Sequence, residues 1–314
     1  MIFFLVQAWT TLALSPIDRR RPSAFAPATA TPFPLLIAQA SLSPPTNRSL
    51  PLRNIFLALA FAALPLPALA AECSNTGGAF ETWKPEMAAE AAAAGVGDRG
   101  ISALMGTSYS KATISADRGQ KSFKYTLSKF MKVRGADAII SIGRKRKAQN
   151  PGFYKSLEQT YGVPAGVILA IHGMETGFGN DRGKTNVVSA IATLAYDCRR
   201  SDYFTDHLIA ALMLVDRGTI TTKSVGAKHG EIGHTQFLPG NALRFGVDGD
   251  GDGNVDLNNM TDALASTANY LHQKGWQPGA GYQEGEPNFA VLKEWNAATV
   301  YQQSLAIMGA KIDR

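Results

Sequence analysis

From residue 72 onward, apolar positions recur every three or four residues and seldom every two, which predicts a mainly helical chain. Phe80, Trp83 and Met87 fall on one helical face, and the alanine-rich run that follows stops at Gly95. Ser201-Asp202 is expected to cap a helix that turns Phe204, Leu208, Ala211, Leu212 and Val215 inward and ends at Gly218. Thr261 is expected to cap another, with Leu264, Ala268 and Leu271 inward and Gly275 as its stop. With so little period-two alternation, no extended sheet is expected. The chain shows no internal repeat, no GxGxxG and no Walker-type loop.

One helical segment departs from the amphipathic norm. Val167, Ile168, Leu169, Ile171 and Met174 leave no polar face, so the segment reads as buried on all sides. Pro164 stands where a first helical turn tolerates it, and the segment runs into Glu175-Thr176-Gly177-Phe178-Gly179. A carboxylate at the end of a buried helix is costly unless it is used or paired. Glu175 shares a face with Ile168 and Ile171, and desolvation there would raise its pKa, as a general acid near neutral pH requires. The pattern alone leaves a structural alternative open, in which Glu175 pairs with a base such as Lys184.

Composition divides the chain. Residues 1–71 hold five arginines, one acid and ten of the 16 prolines. Taking these from 31 basic and 25 acidic residues leaves 26 against 24, so the rest of the chain is near neutral and nucleic acid is not an expected partner. Within the first part, Arg53, an apolar run over residues 55–64, the breakers Pro65 and Pro67, and Ala68-Leu69-Ala70 together form a secretory signal cleaved near Ala70. The run is too short for a permanent membrane anchor. Glu72 before Cys73 does not suit lipid attachment. Translation is expected to begin near Leu50. The expected location is the periplasm or the exterior.

In such a compartment the two cysteines, Cys73 and Cys198, can pair, and two leave one possible connectivity; two free thiols are the alternative. His172, His207, His229, His234 and His272 are scattered without metal-ligand spacing, so zinc is not expected. The run Arg144-Lys145-Arg146-Lys147 reads as a solvated helix face, or as a surface attracted to an anionic polymer. A second constellation spans residues 248–259. Asp248, Asp250, Asp252, Asn254, Asp256 and Asn259 occupy positions 1, 3, 5, 7, 9 and 12 of an EF-hand loop, with Gly253 at the sharp turn. Asn259 stands where a bidentate Glu is usual, which should weaken calcium; an acidic turn without metal is the alternative.

Tyr161-Gly162-Val163-Pro164 followed by Glu175-Thr176-Gly177-Phe178-Gly179 resembles the catalytic helix of lytic murein transglycosylases of the lytic transglycosylase B family. The likeness continues through Gly183-Lys184-Thr185, residues 192–196, Tyr203-Phe204, residues 230–239, residues 268–271 and Trp295-Asn296, with Asp117-Arg118-Gly119-Gln120 upstream. The resemblance implies that Glu175 is the catalytic residue, that Gln236 helps hold the sugar, that Tyr270 is an aromatic of the groove, and that Asn296 and Tyr301 form the C-terminal wall. Two positions depart from the pattern: Ala227 stands where some relatives carry serine, and Trp295 where tyrosine is common.

The expected architecture is therefore a lysozyme-like catalytic core over residues 151–280, containing the EF-hand-type loop. Residues 71–150 would form an N-terminal helical region, and residues 281–314 would complete the groove. The expected function is cleavage of the MurNAc–GlcNAc bond of peptidoglycan glycan strands to give 1,6-anhydroMurNAc ends, with no cofactor for catalysis and a structural calcium ion. A hydrolytic muramidase, a non-catalytic wall-binding assembly factor and a calcium-binding structural protein are the competing readings.

Overall fold

A computed structural model describes residues 71–119 and 125–314; the signal segment, the start near Leu50 and Gln120 lie outside them. In chain order the helices are α1 (Phe80–Ala93), α2 (Asp98–Met105), α3 (Lys111–Arg118), α4 (Leu127–Arg134), α5 (Ala136–Gln149), α6 (Pro151–Tyr161) and α7 (Ala165–Thr176). They continue with α8 (Val187–Tyr196), α9 (Ser201–Arg217), α10 (Pro239–Phe245), α11 (Met260–Gln273), α12 (Phe289–Trp295) and α13 (Thr299–Asp313). The strands β1 (Thr185–Asn186) and β2 (Val225–Gly226) pair antiparallel, with Thr185 opposite Gly226. The fold is mainly α, as the periodicity predicts. Among the described residues no helix is long and apolar enough to cross a membrane.

Helix α7 is the axis around which the others pack. All twelve of its residues are buried, and α13, α5, α6 and α11 lie against it. A helix with no polar face must find apolar neighbours on every side. Pro164 is its N-cap residue, in extended conformation, and the orphan N–H of Gly166 is satisfied by Asp313 Oδ1 on α13 at 2.9 Å. Glycine at 166 permits that contact, since a Cβ would approach the Gly309 carbonyl to 2.2 Å. Gly177, at φ 58°, closes the other end in the left-handed conformation. The C-terminal helix thus both caps and covers the helix that carries Glu175.

The N-terminal helices are tied to the same framework. Phe80, Trp83, Tyr109 and Tyr196 form an aromatic cluster in which Trp83 stacks on Phe80 and Tyr196 meets Phe80 and Tyr109 edge-to-face, and Tyr196 Oη accepts the Ala79 N–H at 3.1 Å. Beside it Cys73 and Cys198 form the disulfide, with Cα atoms 5.0 Å apart. Asp117 on α3 is buried between Arg199 and Arg200, which flank α9 at its start, and Arg118 pairs with Asp197.

Two sequence expectations need correction. Ser201 lies inside the first turn of α9, where its hydroxyl donates to the Ala195 carbonyl instead of capping, and Arg200 is the N-cap residue. Helix α11 is capped by Asn259, whose Oδ1 accepts the Thr261 N–H at 2.9 Å. Both helices therefore begin where tertiary partners fix the chain. The basic run on α5 keeps Arg144 and Lys145 exposed, as a solvated face would, and Arg146 and Lys147 half-buried. Arg144 donates to the Lys311 carbonyl, Lys147 pairs with Asp313 at 2.7 Å, and Arg146 lies 5.0 Å over the Phe178 ring.

Candidate active site

Glu175 sits in the last turn of α7 and is 3% exposed. Lys184, the base considered for it from the sequence, is solvent-exposed. Its partners are instead two donors from the C-terminal helices: Tyr301 Oη at 2.5 Å and Trp295 Nε1 at 3.2 Å. Both hydrogen bonds end on Oε1. The proton of the neutral acid therefore belongs on Oε2, the oxygen that can be offered to a substrate.

The Glu175 pKa stands at about 7, raised from its ordinary 4.5 chiefly by burial. The Tyr301 and Trp295 hydrogen bonds and the charge of Arg134 pull it back, while the charge of Glu231 pushes it further up. The net position is that of a group poised to give a proton and take one back near neutral pH. Tyr301 is itself held well above its usual pKa by burial and by Glu175, so it remains a neutral donor. Arg134, at the end of α4, lies over the Phe130 ring and donates to the Met174 carbonyl at 3.4 Å. It brings positive charge to the carboxylate that remains after proton donation.

The other expected site residues fall into two groups. Gln236 and Asn296 are buried, and each keeps one polar atom, Oε1 and Nδ2 respectively, with no partner in the protein. Buried polar atoms are normally satisfied, so these two are suited to meet a ligand. Gln236 is held in left-handed backbone (φ 57°), and its Nε2 donates to the Gly233 carbonyl at 2.8 Å. Tyr301 is a direct partner of Glu175. Tyr270 is different: it is 3% exposed and its hydroxyl donates to the Glu294 carbonyl at 2.6 Å. It packs edge-on against Trp295, with centroids 5.4 Å apart, and so lies behind the Glu175 donor instead of lining an open groove.

Four functional features escape the sequence reading. Trp295, marked in the sequence only as a departure from tyrosine, donates to Glu175. Arg134 belongs to no motif. Glu231 is a second buried carboxylate near the first, although its Oε2 accepts the His229 N–H at 3.1 Å and its Oε1 faces the His229 ring at 3.5 Å. The fourth is a contact between His172 and His234, with ring nitrogens 3.0 Å apart. The histidines are not all scattered.

In the acidic loop, carboxylate oxygens of Asp248, Asp250 and Asp262 lie within 4.8 Å of one another, close enough for one cation at oxygen-ligand distances to bridge them. Asp262, one turn into α11, is outside the sequence template. Asn259 Oδ1 caps α11, and its Nδ2 donates to Asp250 Oδ2 at 2.5 Å. Asp252 and Asp256 each accept a backbone N–H two residues on. Asn254 is exposed. The donor set is all oxygen and anionic, which fits a hard divalent cation.

Known proteins resemble this chain in sequence and fold. Residues 79–285 match the family described as Transglycosylase SLT domain. Over 123 residues the chain is 37% identical to the membrane-bound lytic murein transglycosylase B of Escherichia coli (strain K12), covering 38% of this chain and 34% of that protein. The chain thus spans about a third of the length of that curated relative. The crystal structure of SltB3 from Pseudomonas aeruginosa in complex with NAG-NAM-pentapeptide superposes with a TM-score of 0.69 at 26% identity, covering 75% of this chain and 80% of that one. The Escherichia coli lytic transglycosylase Slt35 in complex with calcium has the same fold, with a TM-score of 0.64 at 22% identity over 73% of this chain and 92% of that one.

Proposed function

This chain belongs to the transglycosylase SLT domain family, and on that premise we propose that it is a lytic transglycosylase that cuts the MurNAc–GlcNAc bond of peptidoglycan with Glu175 as both acid and base. The observation that carries this reading is the single reactive carboxyl: dry, at about pH 7 in its pKa, and gripped on one oxygen. Glu231, the other buried carboxylate nearby, accepts the His229 N–H on Oε2, its Oε1 faces the His229 ring without a hydrogen bond, and its charge pushes the Glu175 pKa up.

Glu175 Oε2–H protonates the glycosidic oxygen, and the C1–O bond breaks. The N-acetyl oxygen of the same MurNAc stabilises C1. Glu175, now a carboxylate held by Tyr301 and Trp295, takes the proton from the C6 hydroxyl, whose oxygen attacks C1 and closes the 1,6-anhydro ring. No water is consumed, and the intramolecular hydroxyl has a large effective concentration. Gln236 and Asn296 offer their unpartnered atoms to the sugar. SltB3 has been crystallised with NAG-anhNAM-pentapeptide, a ligand of the kind this reaction would release.

Export through the signal segment would place the enzyme in the periplasm, where peptidoglycan lies. Asp248, Asp250 and Asp262 would hold a structural calcium ion away from the chemistry, as their donor geometry supports. The test is mass analysis of a peptidoglycan digest. Muropeptides one water lighter than reducing-end products are expected, and they should be absent with Glu175→Gln while that variant still binds the polymer. Full turnover by the Gln variant would remove Glu175 from the mechanism.

A further inference from the structure

His172 lies on α7 three residues before Glu175, and His234 lies two residues before Gln236. His172 Nε2 and His234 Nδ1 are 3.0 Å apart. The main chain of His234 is pinned as well. Its N–H donates to the Leu257 carbonyl at 2.9 Å, and its carbonyl accepts the hydroxyl of Thr176, the neighbour of Glu175, at 2.6 Å. Thr176 Oγ1 in turn accepts the Gly179 N–H at 2.8 Å. Glycine is required at 179, because a Cβ there would meet the His234 ring at 2.3 Å.

The direction of this chain of hydrogen bonds is fixed from outside. Arg182 Nη1 stands 3.3 Å from His234 Nε2 and also donates to the Asn258 carbonyl at 3.0 Å. A guanidinium only donates, so the Arg182 contact assigns Nε2 of His234 as acceptor and its proton to Nδ1, in competition with the Asn258 carbonyl, which also faces the ring. That N–H donates to His172 Nε2, which leaves the His172 proton on Nδ1. Among side-chain atoms in this region, His172 Nδ1 is buried with no hydrogen-bonding partner. The Phe178 ring lies 5.4 Å away, inclined at 70°.

Among the described residues, Phe178 and Gln236 are the two non-glycine residues with positive φ, at 65° and 57°. Such conformations cost roughly 1–3 kcal/mol each and persist where the surroundings over-determine them. One follows Glu175 by three residues, and the other is itself a proposed sugar contact. The two imidazoles bridge these two strained turns.

We propose that the His172–His234 pair is the positioning strut of the site, a one-way hydrogen-bond chain from Arg182 that sets the separation between the turn carrying Glu175 and the turn carrying Gln236. Neither histidine touches substrate; both act through those two residues. The role rests on the transglycosylase reading, whereas the proton positions do not. Packing alone would be served equally by two apolar side chains. A hydrogen-bonded pair additionally fixes the rotation and spacing of the two turns.

The experiment has two readouts. Imidazole ¹⁵N spectra of the wild-type protein should show both rings protonated on Nδ1 with bare Nε2, and a coupling across the Nδ1–H···Nε2 bond. Kinetics on soluble glycan chains should then separate placement from folding. His172→Leu and His234→Leu, each folded by circular dichroism, should lose about 10- to 100-fold in kcat with KM within about threefold, the signature of misplaced reacting groups. His172→Gln puts an acceptor where Nε2 stood and His234→Asn puts a donor where Nδ1 stood; both should recover most of kcat. An Nε2-protonated ring on either histidine would overturn the proposal. So would Leu variants with wild-type kcat, or Gln and Asn variants no better than Leu. Because the spectra need no turnover, a wild-type protein that released no anhydro product would overturn the functional reading and leave the strut to be judged on its protons.

Discussion

Two regions of this molecule use the same chemical group in opposite ways. In the last turn of α7 one carboxyl is kept dry, and the loss of hydration raises its pKa to about 7. In the loop before α11, carboxylates crowd together near the surface, and backbone N–H groups of Gly253, Gly251 and Asp252 hold Asp248 below its ordinary pKa. The first region makes a proton available. The second keeps negative charge fixed and waits for a cation. Environment decides which role a carboxyl takes: an apolar helix with two side-chain donors in one case, a glycine-rich turn full of backbone donors in the other.

The comparison breaks most sharply at Glu175. Glu175→Gln can accept the Tyr301 and Trp295 hydrogen bonds on Oε1 but cannot cycle a proton, so turnover should fall by at least 10²–10⁴-fold. Its stability should move the other way. The native carboxyl binds its proton more tightly than the unfolded one, so wild-type stability is lost as pH rises from about 4.5 to about 7. The window corresponds to about 3 kcal/mol at 1.36 kcal/mol per unit. Urea melts should show the Gln variant equal to wild type at pH 4 and more stable by roughly that amount at pH 8. Equal stability at both pH values would mean that the site is wetter than described.

The disulfide lies apart from both regions and serves as the control. It closes a separation of 125 residues, and reduction should cost on the order of 3–5 kcal/mol in the chain-entropy model. Denaturant melts with and without reductant measure this. The alkaline limb of activity near pH 7, set by Glu175, should stay where it is while the fold persists.

Calcium should act on the acidic loop alone. At a hundredfold excess over Kd, a ligand confined to the folded state adds about 2.7 kcal/mol, which a thermal melt resolves. Asp262→Asn should abolish that gain and Asn259→Ala should not, because Asn259 spends its amide on α11 and Asp250. An unchanged melt between chelator and millimolar calcium would reduce the loop to an acidic turn. The smallest expected effect is that of Tyr301→Phe. It removes one donor that favours the Glu175 carboxylate, so the pKa should rise and the alkaline limb of kcat/KM should shift to higher pH. A shift to lower pH would contradict the sign of that hydrogen bond.

How much of this was legible in the sequence depends on how local each signal is. Glu175 announces itself within twelve residues, because an apolar run ending in a carboxyl is costly wherever it occurs. The helices α1, α9 and α11 follow from period, but their N-termini do not. Arg200 stands at the N-cap of α9 with its side chain turned to Asp117 instead of capping, and Asn259 caps α11 because the acidic loop delivers it there. Asp262 was missed because a fixed loop template ends at residue 259, whereas the fold brings the first turn of α11 back over Asp248. Arg134 and Trp295 reach Glu175 from distant helices, so only tertiary packing reveals them. Tyr270 was read from family likeness as a groove residue, yet its hydroxyl satisfies the Glu294 carbonyl and its ring backs Trp295.

The central claim is that one carboxyl suffices because the substrate supplies the nucleophile. Digestion of peptidoglycan by the wild-type protein in ¹⁸O-labelled water tests it directly, with each released MurNAc terminus read by mass spectrometry. The account predicts anhydro termini carrying no label, since the C6 oxygen of the same sugar closes on C1. One ¹⁸O at each new MurNAc terminus would contradict it and make the enzyme a hydrolase.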